Sequence, residues 1–171
     1  FNRPVPLSTE EKIANLTTDL NAKNSVTFIG ADKLHAKGFD GTGMKVGVID
    51  TGIDFTHKML GGPGTVEAYK SVDPNGKSEF FPNDKVVGGV DFVGTEFNAA
   101  SEKLENQIPH RDENPLDEAE HGTHVSGTVA GIGDGVNTYS GVAPKAKLYG
   151  LKVFGKEGST SDIAVIQALE Y

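Results

Sequence analysis

The chain has 171 residues, carries a formal net charge of -8 and contains 36% hydrophobic and 23% charged residues, enough for one soluble core. Its pI of about 5.1 argues against a nucleic-acid partner, which clustered Lys and Arg would have to hold. No apolar run approaches the roughly 18 residues of a membrane span. The absence of cysteine removes disulfides, thiolate metal sites and cysteine nucleophiles together.

From the N-terminus, Ser8-Thr9-Glu10-Glu11-Lys12 reads as a capped helix start, continued by Ile13, Leu16 and Leu20 at helical spacing. Residues 1–28 hold no chemistry-bearing residue at a telling place, and are expected to be a lead-in or propeptide remnant. Nothing in Phe1-Asn2-Arg3-Pro4 reads as a secretory signal, and the sequon Asn15-Leu16-Thr17 is a three-residue match of little weight. A second short helix is predicted over Ala31 to Lys37, ended by Gly38.

Met44-Lys45-Val46-Gly47-Val48-Ile49-Asp50 is β-branched and almost wholly apolar, between Gly41-Thr42-Gly43 and Thr51-Gly52. This predicts a strand buried on both faces, as in a parallel sheet. Val86 to Val93 and Ala146 to Phe154 are further strands of that kind, while His121 to Ala130 and Ser161 to Tyr171 read as helices. Alternating strands and helices predict an α/β fold, a three-layer sandwich with a mostly parallel sheet. Gly61 to Asp84, with its turn signal Asp73-Pro74-Asn75-Gly76, reads as a hairpin or long surface loop. Ile163, Val165, Ile166 and Leu169 are expected to form the apolar side of the last helix. That helix runs to Tyr171 without a stop signal, so the chain reads as a fragment.

Asp50 stands where a buried strand gives way to a Thr-Gly turn, the place where open α/β sheets hold their ligands. Such a carboxylate either orients a partner such as an imidazole or caps the turn. His121 opens a helix whose small residues Gly122, Ser126, Gly127 and Ala130 allow close packing, leaving the imidazole exposed at the N-terminal end. His124, deeper in that helix, reads as a buried, hydrogen-bonded histidine. The acidic stretch from Arg111 to Glu120 reads as a solvated loop, with a cation site or a preference for basic groups near His121 as alternatives.

Val46-Gly47-Val48-Ile49-Asp50-Thr51-Gly52-Ile53-Asp54, His121-Gly122-Thr123-His124-Val125-Ser126-Gly127 and Gly141-Val142-Ala143-Pro144-Lys145-Ala146 leading into Leu151-Lys152-Val153-Phe154 resemble, in order, motifs of the subtilisin-like serine proteases. The resemblance covers roughly residues 29–171 and implies the N-terminal part of a subtilisin-like peptidase domain. It implies a serine endopeptidase using an Asp-His-Ser triad. His121 would be its general base, Asp50 the residue that orients it, and Phe154, Gly155 and Gly158 part of a segment pairing with an extended peptide. It implies a polypeptide substrate, a secreted, extracellular or cell-surface location, and no cofactor for the chemistry.

The Gly-Thr-Ser motif and the oxyanion asparagine of that family are absent. Ser126, Ser159 and Ser161 stand in other contexts, so the serine is expected on the remainder of the catalytic domain and this chain alone is expected to be inactive. The resemblance leaves room for a structural calcium. Lys58 and Met59 stand where the family often has an aspartate ligand, and Gly133-Asp134-Gly135-Val136-Asn137 offers few oxygens. The stretch Gly61 to Glu120 is long for the smallest members. The rival readings are a metal-dependent hydrolase, with His121, His124, Asp50, Asp54 or His57 as zinc ligands, and a non-catalytic domain that binds polypeptide.

Overall fold

Residues 25–133 and 139–171 are described by a computed structural model. The predicted helix after Ser8, the sequon and most of the 133–137 loop lie outside the described residues. Backbone contacts divide the chain into two units, Phe1–Phe39 and Asp40–Tyr171. The first contains two short helices, α1 (Ser25–Phe28) and α2 (Ala31–His35). α2 ends two residues before the predicted Lys37, where the N–H of Gly38 turns back to the His35 carbonyl.

The second unit is built on a parallel sheet of three strands, β1 (Lys45–Asp50), β2 (Val86–Asp91) and β3 (Lys147–Lys152), in the order β1-β3-β2. Register places Asp50 and Asp91 on either side of Lys152, so three charged groups share the carboxyl end of the sheet. β3, in the centre, is buried from Gly150 to Lys152. β1 is less enclosed than its sequence suggests, because it is an edge of this sheet; only Val48 is fully buried, at 6% exposure. A one-sided strand needs fewer buried side chains than a central one.

Two helices flank the sheet. α4 (His121–Ala130) presents Gly122, Ser126 and Ala130 along one buried line, and its Ala130 joins a core of Val48, Ile53, Phe55, Leu60, Val86, Leu116 and Leu148. α5 (Asp162–Glu170) buries Ala164 and Ala168 in a second core with Val90, Phe92, Val93, Phe97, Leu151 and Val153. The apolar side expected for α5 is therefore corrected. Ile163, Ile166 and Leu169 are exposed, at 67%, 54% and 72%, while Val165 packs partly against that core beside the two alanines.

A further helix, α3 (Val66–Ser71), stands inside the stretch predicted as loop. Thr65 caps it, its Oγ1 accepting from the Ala68 N–H at 3.2 Å, while Ala68 packs inward. The Asp73–Gly76 turn forms as predicted, with the Gly76 N–H donating to the Asp73 carbonyl.

The Gly141-Val142-Ala143 motif closes the C-terminal end of α4. Its N–H groups donate to the carbonyls of Gly131, Thr128 and Val129, satisfying helix-end acceptors that would otherwise lack partners. Only glycine fits at 141, since a Cβ there would lie 2.5 Å from the Ala130 nitrogen.

Candidate active site

β1 delivers Asp50 at its last residue and α4 delivers His121 at its first. The imidazole Nδ1 lies 2.8 Å from Asp50 Oδ1 and 3.0 Å from Oδ2. An ionised carboxylate only accepts, so this contact assigns the Nδ1 proton to the histidine and leaves Nε2 with a free lone pair. The Asp50 side chain is 14% exposed and that of His121 is 71% exposed, so the pair is anchored on one side and open on the other. The hydrogen bond that His121 donates to Asp50, then the charge of Asp50, raises the His121 pKa above the ordinary 6.5. The Asp50 carboxylate also accepts from the Thr51 N–H at 2.7 Å.

Backbone shape brings the histidine to this point. Glu120 has φ 67°, the one non-glycine residue in the left-handed region among those described. Such a conformation costs about 1–3 kcal/mol and persists where the surroundings over-determine it. Here those surroundings are the close contact of α4 with the β1 turn. The Gly122 N–H donates to Thr51 Oγ1 at 2.8 Å, and Thr123 Oγ1 accepts from the Asp54 N–H at 2.9 Å.

The acidic stretch before His121 is not the solvated loop expected of it. Asn114, Leu116 and Asp117 are each 3% exposed. Asn114 Nδ2 donates to the carbonyls of Asp73 and Gly76, tying this stretch to the preceding turn. Asp117 accepts from Thr51 Oγ1, from the N–H groups of Ala119 and Thr123, and from Thr123 Oγ1. Asp112 is half-buried, and burial pushes its carboxyl up to about 6. The signal of burial in the sequence is the uncharged Asn114-Pro115-Leu116 that interrupts the acidic run.

A cleft of about 440 Å³ lies beside His121, lined by Asp54, His57, Lys58, Thr65, Tyr69, Asp117, Glu118, Glu120 and Thr123 among others. Burial raises the Tyr69 hydroxyl pKa, and the carboxylates of Glu118 and Asp54 raise it further, so the cleft is electronegative.

Phe154, Gly155 and Gly158 form a tight turn next to the pair. Its approach is fixed by the Val153 N–H, which donates to the Asp50 carbonyl at 2.9 Å. The Gly155 N–H donates to the Ser159 carbonyl and the Gly158 N–H to that of Gly155. Residues 95–98 support this turn from beneath. A Cβ at Gly155 would lie 2.1 Å from the Phe97 carbonyl, Lys156 Nζ pairs with Glu96 Oε1 at 2.6 Å, and Ser159 Oγ donates to Asn98 Oδ1 at 3.2 Å. Phe154 is partly buried against the second core.

His124 faces outward and is exposed, contrary to the buried histidine expected, because the buried line of α4 runs through 122, 126 and 130. Asp54 accepts from the Thr56 N–H and hydroxyl, and His57 Nδ1 from the Met59 N–H. Among the described residues no group of three or more His, Asp or Glu side chains gathers as metal ligands.

An aspartate-oriented imidazole, exposed at the carboxyl end of a parallel sheet, is an arrangement that can take up and return a proton. Residues 41–171 match the model of the subtilase family, and the chain belongs to that family. It is 33% identical to Subtilisin DY of Bacillus licheniformis over 85% of this chain and 38% of that protein. It is 34% identical to Bacillopeptidase F of Bacillus subtilis over 86% of this chain and 8% of that protein. With a thermostable alkaline protease of Halalkalibacterium halodurans it shares 29% identity over 94% of this chain and 33% of that protein. The chain thus spans well under half the length of these relatives.

Proposed function

We propose that the chain contributes the aspartate and histidine of a serine endopeptidase, with Asp50 orienting His121 and a serine outside these residues acting as nucleophile. The observation that carries this reading is the 2.8 Å contact of His121 Nδ1 with Asp50, made by an imidazole that is 71% exposed. Nε2 would take the proton of the serine hydroxyl as the oxygen attacks the peptide carbonyl, and return it to the leaving amine. Asp50 would stabilise the imidazolium formed between those steps.

The serines near the pair are buried or engaged elsewhere, which supports a nucleophile supplied from outside. Ser126 is wholly buried, Ser159 bonds Asn98, and Ser161 caps α5 through the Ala164 N–H. The turn at Phe154, Gly155 and Gly158 would meet the polypeptide substrate, with Phe154 as one wall of a side-chain pocket. A polypeptide substrate processed outside the cell fits this reading; among the described residues no helix is long and apolar enough to cross a membrane.

The test is mass spectrometry after treatment with a fluorophosphonate, applied to this chain together with the polypeptide carrying the rest of the catalytic domain. An adduct on a serine of that polypeptide, lost in His121→Ala, is the expected result. No adduct in the assembled material would overturn the reading and favour a domain that only binds polypeptide.

A further inference from the structure

We propose that Asp117 is a positioning residue for the Asp50–His121 pair, a hub that locks the strand carrying the carboxylate to the helix carrying the imidazole. The inference rests on the reading of that pair given above. Asp117 touches neither member of it.

Asp117 is 3% exposed and both its oxygens are filled. Oδ1 accepts from Thr51 Oγ1 at 2.8 Å and from the Ala119 N–H at 3.0 Å. Oδ2 accepts from the Thr123 N–H at 2.8 Å and from Thr123 Oγ1 at 2.6 Å. Thr51 directly follows Asp50, and its hydroxyl, having donated to Asp117, accepts from the Gly122 N–H at 2.8 Å. Thr123 Oγ1 likewise accepts from the Asp54 N–H at 2.9 Å. The residues flanking Asp50 and those flanking His121 therefore meet on one carboxylate. An acceptor-only group suits this place, because every partner aimed at it is a donor.

Charge-assisted hydrogen bonds are about twice as strong as neutral ones, and a buried carboxylate deprived of its donors is costly, so the hub has one arrangement. That arrangement sets the distance between the end of β1 and the start of α4. It also fills the first-turn N–H groups of α4 in the manner of a helix cap, although Asp117 precedes the cap position itself.

The experiment is an NMR titration of the His121 ring in the 171-residue chain. It compares the wild type with Asp50→Asn, Asp117→Asn and Thr51→Val. Thr51→Val removes one link of the hub without changing any charge. The wild-type midpoint should lie above 6.5, and Asp50→Asn should return it toward that value. Asp117→Asn and Thr51→Val should each move it part of the way, with the core resonances unchanged.

If both variants keep the wild-type midpoint, Asp117 is structural only and the proposal falls. It also falls if Asp117→Asn moves the midpoint while Thr51→Val does not, since charge alone would then explain the shift. Should Asp117→Asn fail to fold, Thr51→Val still decides. A wild-type midpoint equal to that of Asp50→Asn would instead remove the pair itself, and with it the functional reading.

In the assembled protease the same two variants should lower kcat by about tenfold to a hundredfold, the range expected for a misplacement near 1 Å. KM should stay within about twofold, since neither residue belongs to the Phe154–Gly158 turn proposed to meet the substrate.

Discussion

Gly52 and Gly122 stand back to back where the β1 turn meets α4: a Cβ at Gly122 would lie 2.2 Å from the Gly52 carbonyl oxygen. Gly52 has no room to retreat, because its own φ is 120° and a Cβ there would lie 2.6 Å from the Pro115 carbonyl. Gly122→Ala should therefore push helix and strand apart. We expect a loss of about 2 kcal/mol, within the usual range for overpacking. Urea unfolding measures it, and an unchanged midpoint would mean that the contact is not fixed.

The Asp50–His121 pair carries a definite sign with pH. Its folded-state imidazole pKa is raised, first by the hydrogen bond and then by the charge of Asp50. The stability it contributes is thus fully present below the unfolded value of about 6.5 and is lost as pH rises through the folded value. The stability gap between wild type and Asp50→Asn should be wider at about pH 5.5 than at about pH 8.5. A gap that widens with rising pH would contradict this assignment. In the assembled enzyme, activity should appear as pH climbs through the raised value, because the base must be neutral to accept a proton.

Asp112 offers a second pH test. Burial raises its carboxyl to about 6, so the folded state holds a proton that the unfolded chain releases near 3.8. Stability from this group falls as pH rises between those values. Asp112→Asn keeps an oxygen to accept from the Asn114 N–H, which now reaches Asp112 Oδ1 at 2.7 Å. The variant should melt higher than wild type at neutral pH, with the advantage fading below about pH 4. Calorimetry at the two pH values compares them directly; equal melting points at neutral pH would refute the shift.

At the carboxyl end of the sheet, Lys152 is 1% exposed and pairs with Asp91 at 3.1 Å. It also donates to the Leu116 carbonyl at 3.0 Å, just before the Asp117 hub. Lys152→Met would strand a fully buried carboxylate, and such a break costs about 3–5 kcal/mol. Pairing it with Asp91→Asn should recover part of that loss, since the carboxylate stranded by the first change is then removed. Denaturant curves of the single and double variants decide it, and an additive double loss would contradict the pairing.

Much of this architecture was legible in the chain. The three apolar runs became the strands, and the small-residue spacing of 122, 126 and 130 became the buried line of α4. Asp50 and His121 were marked by the same local logic, a strand end and a helix start, and the structure brings them within 2.8 Å. What was hidden depends on neighbours distant in sequence. Asp117 reads as one acid in a charged run until Thr51, 66 residues away, is seen to donate to it. The α5 face differs from its pattern for the converse reason, since the pattern favours Ile163 and Ile166 while Ala164, Ala168 and, in part, Val165 are what pack against the core. The helix α3 escaped notice because its glycine-rich flank outweighed a threonine cap.

The connection after β2 has a root and a tip. Its root, residues 95–98, is bonded to Lys156 and Ser159 of the neighbouring turn, whereas Ala99 and 102–105 are exposed and bond no residue of that turn. Lengthening a loop at such a tip costs little, about 0.6 kcal/mol for each doubling. The tip can therefore be exchanged, as an affinity handle or a recognition loop, while the root keeps the turn and the neighbouring Asp50 in register.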